Sequence, residues 1–520
     1  MTVEVDATVR AGTVPMTRAQ IGQAMSGLYI SIFVAILSST IVTNALPTIV
    51  ADLHAGQSVY TWVITATLLA TTVSSPIWGK LADLLSKKLL IQISLIIFTV
   101  GSVLSGLASD AGLLIAARAV QGIGAGGLLA LIQVIIATMI SPRERGRYNG
   151  YFGALLAVAT SAGPLIGGFI VDTEWLGWRW CFFVGVPFAV AALIVLQKTL
   201  NLPAAKGSVR IDWAGAASLT AAASLLLVWV TFAGDGYAWL SWQSAAFVGG
   251  ALLFSLAFVV AERHAKDPVL PLWLFRTRTV VLAIVASLVI GVAIYAGSTY
   301  LSQYFQLSEG RTATLAGVLS LPLVLGLALA STVGGRIVTA TGRWKPLLLA
   351  GTLLIAAGLA LLGLTRHDTP YWRLAPAMGL LGIGLGATLQ NLVLAVQNQV
   401  NLRELGAASS AVSFFRTLGG TIGVSALGAM LAGRVSRLTA DGLAGAGVQA
   451  GGGGSSISRP AELSAPVRAV IEDAYGHATG DLFLYTVPLA LVAIAIVFFI
   501  REVPLRTSNA VGDDPEDGSR

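Results

Sequence analysis

Fourteen apolar stretches of spanning length, one after another along a single chain, leave room for only one kind of fold. They lie near residues 25–48, 59–80, 88–108, 112–139, 147–171, 181–199, 213–233, 243–261, 280–301, 313–337, 346–364, 373–397, 407–432 and 481–500. A backbone inside a bilayer has no water to bond, so each stretch of about 20 apolar residues is expected as a helix that satisfies its own amides and carbonyls. Composition agrees, since 55% of the 520 residues are hydrophobic and only 11% are charged, where soluble domains hold about 25% charged residues. The fold class expected is all-α integral membrane, with 14 transmembrane helices.

An even count puts both termini on one side of the bilayer. With the N-terminus inside, the inner segments carry 22 of the 32 lysines and arginines and the outer segments 8, leaving Arg118 and Arg416 within helices. Basic residues accumulate on the cytoplasmic side, so both termini are expected in the cytoplasm, in a multi-pass protein of the plasma (inner) membrane. The formal net charge of +7 then reads as topology, and no nucleic-acid partner is expected. Residues 1–20 have no apolar run of their own and lead straight into a full-length span, so no cleaved signal is expected. Cys181 is the only cysteine, which excludes an intrachain disulfide. His54, His264, His367 and His477 are scattered without metal-ligand spacing, and no glycine cluster is followed by a phosphate-loop Lys-Ser or Lys-Thr pair. No metal, no cofactor and no catalytic constellation are expected.

The chemistry concentrates between Leu113 and Ile170. Arg118 sits deep in an apolar segment with Gln121 one turn on, and Gly122 and Gly126 form a small-xxx-small pair that lets two helix backbones touch. A buried ionised side chain costs at least about 2.5 kcal/mol and normally faces a cavity or a partner. Arg118 is therefore read as a gate linking occupancy of two sites, against the plainer reading of an arginine bonded to backbone carbonyls and helix-one hydroxyls. Arg416, in SFFRTLGGTIG, is its counterpart late in the chain. Asn44, Gln133, Tyr295, Tyr300, Gln390, Asn391, Phe414 and Phe415 are candidates to line a cavity for a small lipophilic substrate.

These motifs carry a family resemblance. Arg118-x-x-Gln121-Gly122-x-Gly124 resembles the fourth-helix motif of the major facilitator superfamily, and Gly163-Pro164-x-x-Gly167-Gly168 resembles the fifth-helix motif of its antiporters. GKLADLLSKKLL is similar to the family's cytoplasmic loop motif at Gly79, Leu81, Asp83, Lys87 and Lys88, with Leu84 and Ser86 replacing the usual arginine and glycine. Thr40, Ile41, Val42, Ala45, Leu46 and Pro47 match the first-helix ending of the fourteen-helix drug:proton antiporters, although Ser38 stands where that group has an aspartate. Trp178-Arg179-Trp180 leading to Pro187, and Glu262-Arg263 leading through Pro268 and Pro271 to Phe275, agree with the same pattern. The resemblance implies a secondary active transporter of the multidrug efflux, antibiotic-resistance type, with a proton as coupling ion. It also implies that Asp83 latches the two halves together at a helix N-terminus, where a carboxylate is favoured.

Internal repetition gives the domain division. Gly335, Arg336, Thr339, Gly342 and Arg343 repeat the positions of Gly79, Lys80, Asp83, Ser86 and Lys87 at an offset of 256, and Gly382-xxx-Gly386 repeats Gly122-xxx-Gly126 at 260. The expected organisation is a cytoplasmic tail (1–20), a six-helix half (21–200), two inserted helices (201–265), a second six-helix half (266–505) with an extracytoplasmic loop at 433–480, and a tail (506–520). That loop holds a glycine-serine linker at 451–456 and a short helix around Val467–Tyr475. Repeats of this kind place the substrate at the interface of the halves, with access alternating by rocking.

Energy coupling is read from the 25 carboxylates. On these spans every one falls in a loop or at a helix end, whereas proton relays use buried Asp, Glu or His. Weak proton coupling is therefore expected, through Asp83 or Asp212 if at all. With Arg118 and Arg416 unmatched by a buried acid, neutral or anionic lipophilic substrates are expected over dications. The alternatives are a facilitator or importer of a specific metabolite, and a membrane-anchored sensor or scaffold whose outer loop binds a partner.

Overall fold

The computed structural model describes residues 18–53, 57–173, 175–200, 202, 212–234, 236–265, 267–401, 404–445 and 465–505. The described chain is helical almost throughout: α1 (Arg18–Asp52), α2 (Gln57–Leu84), α3 (Lys87–Gly106), α4 (Ala111–Met139), α5 (Pro142–Asp172), α6 (Trp180–Phe183), α7 (Gly185–Thr199), α8 (Trp213–Phe232) and α9 (Trp242–His264) make its first part. The second part holds α10 (Arg278–Gln303), α11 (Ala313–Leu319), α12 (Leu321–Thr341), α13 (Lys345–Leu362), α14 (Tyr371–Gln397), α15 (Leu405–Gly445) and α16 (Ala465–Phe499). Among the described residues thirteen helices are long and apolar enough to cross a membrane, against the fourteen expected. The one missing from that count is α2. Its 28 residues carry so many hydroxyls that its apolarity is diluted, yet Thr67 and Thr72 return their protons to the Val63 and Leu68 carbonyls at 3.2 and 2.7 Å.

Helix starts follow side-chain chemistry. Asp110 accepts from the Leu113 amide at 2.9 Å, Ser241 from the Ser244 amide at 3.2 Å and Thr312 from the Leu315 amide at 3.3 Å, each satisfying an amide that the first turn leaves open. Gly342 ends α12 with φ +72°, the left-handed conformation that favours glycine.

Packing repeats as the sequence does. A Cβ on Gly122 or Gly126 would lie 2.5 Å from the Thr67 or Thr71 carbonyl, so α4 meets α2 backbone to backbone; Gly382 and Gly386 bring α14 onto the Leu323 and Leu327 carbonyls of α12 in the same way. The apolar core of α10–α16 is one buried cluster that also takes in Leu219, Ala223 and Leu227 of α8 and Ala137 of α4, while the other core residues of α1–α7 form two further clusters. By contrast α9 turns Leu252, Leu253 and Leu256 outward.

The far end of the second part is more helical than expected. The stretch 433–480 was expected as a loop, but α15 continues to Gly445 and α16 begins at Ala465, absorbing the short helix expected at Val467–Tyr475. The linker at 451–456 lies outside the described residues. Charged residues end the apolar run there without ending the helix, and Arg434 on α15 pairs with Asp481 on α16 at 2.9 Å.

Candidate functional site

Arg118 lies buried two turns into α4, with 3% of its surface exposed. Its Nη1 donates to the Gln121 Oε1, and Gln121 Nε2 donates to Ser102 Oγ on α3 at 2.6 Å and to Ser38 Oγ on α1 at 3.3 Å. No carboxylate neutralises the guanidinium among the described residues, and its Nε is buried without a partner. Gln121 is thus the adaptor between the charge and the helix-one hydroxyls. Arg416, half-buried on α15, has Tyr295 of α10 as its electrostatic neighbour. Arg118 is thus bonded to an uncharged amide, and Arg416 in the other half has an uncharged tyrosine beside it.

The expected cavity residues separate into different roles. Gln133 of α4 and Gln390 of α14 meet across the halves at 3.2 Å. Asn391 donates to the Ala387 carbonyl of its own helix at 2.7 Å. Tyr300 and Phe414 are buried: the Tyr300 hydroxyl donates to the Val424 carbonyl, and the Phe414 ring stands edge-on to Phe415 at 5.2 Å. Tyr295 and Phe415 remain partly open, Phe415 also meeting Phe275 at 6.3 Å. The side chains of Asn44 and Pro164 lie outside the described residues.

The stretch 163–168 sits where α5 crosses α1. Gly163 leaves room for Thr40, Gly167 faces the Ile41 carbonyl, and Gly168 faces Thr314 across the halves. Thr40 Oγ1 bonds to the Leu37 carbonyl at 3.0 Å and reaches the Ala159 carbonyl at 3.4 Å.

At the end rich in lysine and arginine, here the basic end, the halves close against each other through two equivalent crossings. Gly79 of α2 meets Gly406 and Ser410 of α15, and Gly335 of α12 meets Gly146 and Gly150 of α5. Asp83 caps the first crossing: its Oδ1 accepts from the Gly406 amide at 2.8 Å and its Oδ2 from the Ala407 amide at 3.0 Å. Beyond the apolar stretch of α2, burial pushes this carboxyl up to about 7, while the two amides and Lys87 and Lys80 pull it down. Thr339 occupies the matching place in the second crossing, where its Oγ1 accepts from the Arg147 amide at 3.1 Å. Leu81 packs into the apolar core beside this seam, and Lys88 donates to the Gln197 carbonyl at 2.6 Å.

Arg143, Arg145 and Arg147 lie close together in the stretch SPRERGRY, which has the composition of a basic loop. Pro142 in the first turn makes SPRERGRY the start of α5 instead, so these arginines point in different directions. Arg143 reaches the Thr339 carbonyl at 3.3 Å, whereas Arg145 is buried, bonding the Ile140 and Ala137 carbonyls at 2.8 and 2.6 Å and Gln397 Oε1 at 3.3 Å. Gln397 also donates to Ser409 at 2.9 Å. Together with Gln133 and Gln390 these groups form a polar layer across the halves just inside the seal.

Several carboxylates lie neither in a loop nor at a helix end, Glu472 and Asp473 within α16 among them. Asp481 lies well inside α16, not at a helix end. Glu262, near the end of α9, is 4% exposed, so a buried carboxylate is present. Its Oε1 accepts from the Val269 and Leu270 amides at 2.9 and 3.2 Å, holding the turn that follows. Asp212 caps α8 through the Gly215 amide at 2.9 Å and lies beside Glu262 at Gly215.

The profile of the Major Facilitator Superfamily matches residues 28–424. The multidrug transporter protein MdtP of Bacillus subtilis (strain 168) is 34% identical over 417 residues, covering 80% of this chain and 76% of its own. Multidrug resistance protein 3 of the same organism is 30% identical, covering 91% of this chain and 94% of its own. Among solved structures, the proton:xylose symporter XylE bound to 6-bromo-6-deoxy-D-glucose superposes with a TM-score of 0.63 at 13% identity, over 93% of this chain and 96% of that one. The human organic anion transporter MFSD10 gives 0.60 at 13% identity, over 90% and 99%. Two glycine-lined crossings that close one end, one arginine beside an uncharged side chain in each half, and a sequence match along most of the length lead to one assignment: the chain belongs to the major facilitator superfamily and is a multi-pass membrane transporter.

Proposed function

We propose that this chain exports amphipathic, lipophilic drugs or metabolites from the cytoplasm across the plasma membrane, in exchange for protons. The basic end is then cytoplasmic, with both termini there, and the halves are residues 21–200 and 266–505, joined through the two helices of 201–265. The observation that carries the reading is the pair Arg118 and Arg416, one per half, Arg118 bonded to Gln121 and Arg416 beside Tyr295, with an uncharged side chain next to each. A cavity between them favours neutral or anionic lipophilic substrates, because a dication would meet two positive charges and no acid. The names of the Bacillus subtilis relatives support drug export. Proton exchange rests on Asp83, whose burial changes when the halves separate, with Asp212 as the second carboxylate at the same end.

Everted vesicles test this directly. Uptake of a lipophilic anionic dye that collapses when the pH gradient is dissipated supports the proposal. Uptake unaffected by the gradient supports a facilitator, and no uptake of any lipophilic dye or drug refutes export.

A further inference from the structure

The Glu262-Arg263 motif and the prolines after it build a cleft. Between the end of α9 and the turn Leu272–Arg276 lies a cavity of about 550 Å³, lined by Glu262, Arg263, Arg276, Trp273, Phe275 and Val259. Its place is the basic end, because Lys80, one turn before Asp83, pairs with Asp267 at 3.9 Å in the same turn.

The charges around it are unevenly engaged. Asp267 pairs with Lys80, Asp212 caps α8, and Glu262 Oε1 holds two amides. Among the described residues no hydrogen bond or ion pair engages Arg263 or Arg276. Glu262 Oε2 is also buried without a partner. The cleft thus offers two guanidinium groups that no described residue engages, suited to a phosphate, and in its wall stands Glu262, whose buried Oε2 is an acceptor suited to a hydroxyl. Its wall continues onto α9, whose outward Leu252, Leu253, Leu256 and Val260 form an apolar strip along the spanning segment.

We propose that this cleft binds the headgroup of an anionic phospholipid that carries hydroxyls. The phosphate lies between Arg263 and Arg276, a headgroup hydroxyl donates to Glu262 Oε2, and the acyl chains lie along the exposed face of α9. A soluble anion would use the arginines alone; the apolar strip leading out of the cleft is what selects a lipid. Trp273 at the rim fits the same boundary, where aromatic rings sit at headgroup level.

The test uses the full-length protein in detergent, with melting temperature and lipid retention by native mass spectrometry as readouts. Phosphatidylglycerol is expected to raise the melting temperature and remain bound, whereas phosphatidylcholine does neither. Arg263→Gln with Arg276→Gln should lose the phosphatidylglycerol shift, with binding weakened roughly tenfold for each charge-assisted bond removed. Arg263→Lys with Arg276→Lys should retain part of the shift, separating charge from packing. Glu262→Gln keeps an oxygen for the Val269 and Leu270 amides but places an amide nitrogen at the Oε2 position, so it should lose any preference for phosphatidylglycerol over phosphatidic acid. Equal stabilisation by phosphatidylglycerol and phosphatidylcholine overturns the proposal, as does a full shift in the double glutamine variant. Inorganic phosphate alone reproducing the shift would make this a free-anion site, and an unchanged preference in Glu262→Gln would remove the hydroxyl contact.

Discussion

Replacing Asp83 by asparagine tests the seal at the point where one side chain spans the halves. Each carboxylate oxygen accepts one α15 amide, from Gly406 and from Ala407. An amide side chain keeps one acceptor and turns an N–H toward the other amide, leaving a buried donor open at a cost of about 1–3 kcal/mol. Loss of the negative charge at the start of α15 removes about 0.3–1 kcal/mol more. Against this, the neutral amide no longer pays the desolvation that pushes the Asp83 carboxyl up to about 7. The net expectation is about 1–2 kcal/mol against sealing, a shift of roughly 5–30-fold toward the state open at the basic end. Spin labels at Leu89 and Ile337, both exposed, report the separation of the halves, and buried Cys181 is out of reach of the label. The same labels read the pH response. In the sealed state the carboxyl titrates near 7, and once hydrated it returns to the ordinary carboxylate range. The sealed state therefore gains as pH falls through 7, stops gaining below the ordinary carboxylate range, and is insensitive above 7. A protonated carboxyl keeps an oxygen at both positions, so it is not equivalent to asparagine. An unchanged distance distribution in Asp83→Asn, or the same pH response with and without Asp83, would refute the reasoning.

Other perturbations have equally definite outcomes. Arg118→Ala should abolish transport, because Gln121 then has no charge to relay to Ser38 and Ser102; Arg118→Lys should retain part of it, and full activity in Arg118→Ala would return this arginine to a packing role. Gly335→Val places a side chain against the Gly146 backbone at a strain of about 1–3 kcal/mol, so the labelled distance should lengthen with little loss of protein from the membrane. Substrate competition should rank lipophilic anions and neutral compounds above dications, and efficient export of a dication would show that Arg118 and Arg416 do not face the substrate.

Much of this architecture could be read from the chain because bilayer helices leave plain marks. Apolar length located the spans, and glycine spacing anticipated the contacts, Gly122 and Gly126 of α4 packing against α2 and Gly382 and Gly386 of α14 against α12. Hydropathy failed where helix and membrane part company. Residues after 432 and before 481 are charged, so they end an apolar run, but Arg468–Glu472 at i,i+4 and Arg434–Asp481 between helices support continued helix in water. Arg145 was obscured by its neighbours Arg143 and Arg147. The Ser141-Pro142 start signal, followed at helical rather than loop spacing, would have separated the one inward arginine from the two outward ones. Glu262 was discounted because a carboxylate near a helix end is usually wet. Only the return of the chain through Val269 and Leu270 buries it, and no local pattern announces that fold-back.

The length of α15 has a mechanical meaning. Its 41 residues extend about 60 Å at 1.5 Å each, while a bilayer with its headgroups is about 40–45 Å thick. Starting at the seal beside Asp83, the helix overshoots the opposite surface, and α16 runs alongside, held by Arg434–Asp481 and by Val470 against Gly442. The pair is a stiff mast rooted in one half, with its tip about 40 Å from the midplane. A rocking of about 15° would swing that tip by roughly 10 Å, so a fluorophore near Gly442 turns the alternation of a buried cavity into a displacement readable outside the membrane, one molecule at a time.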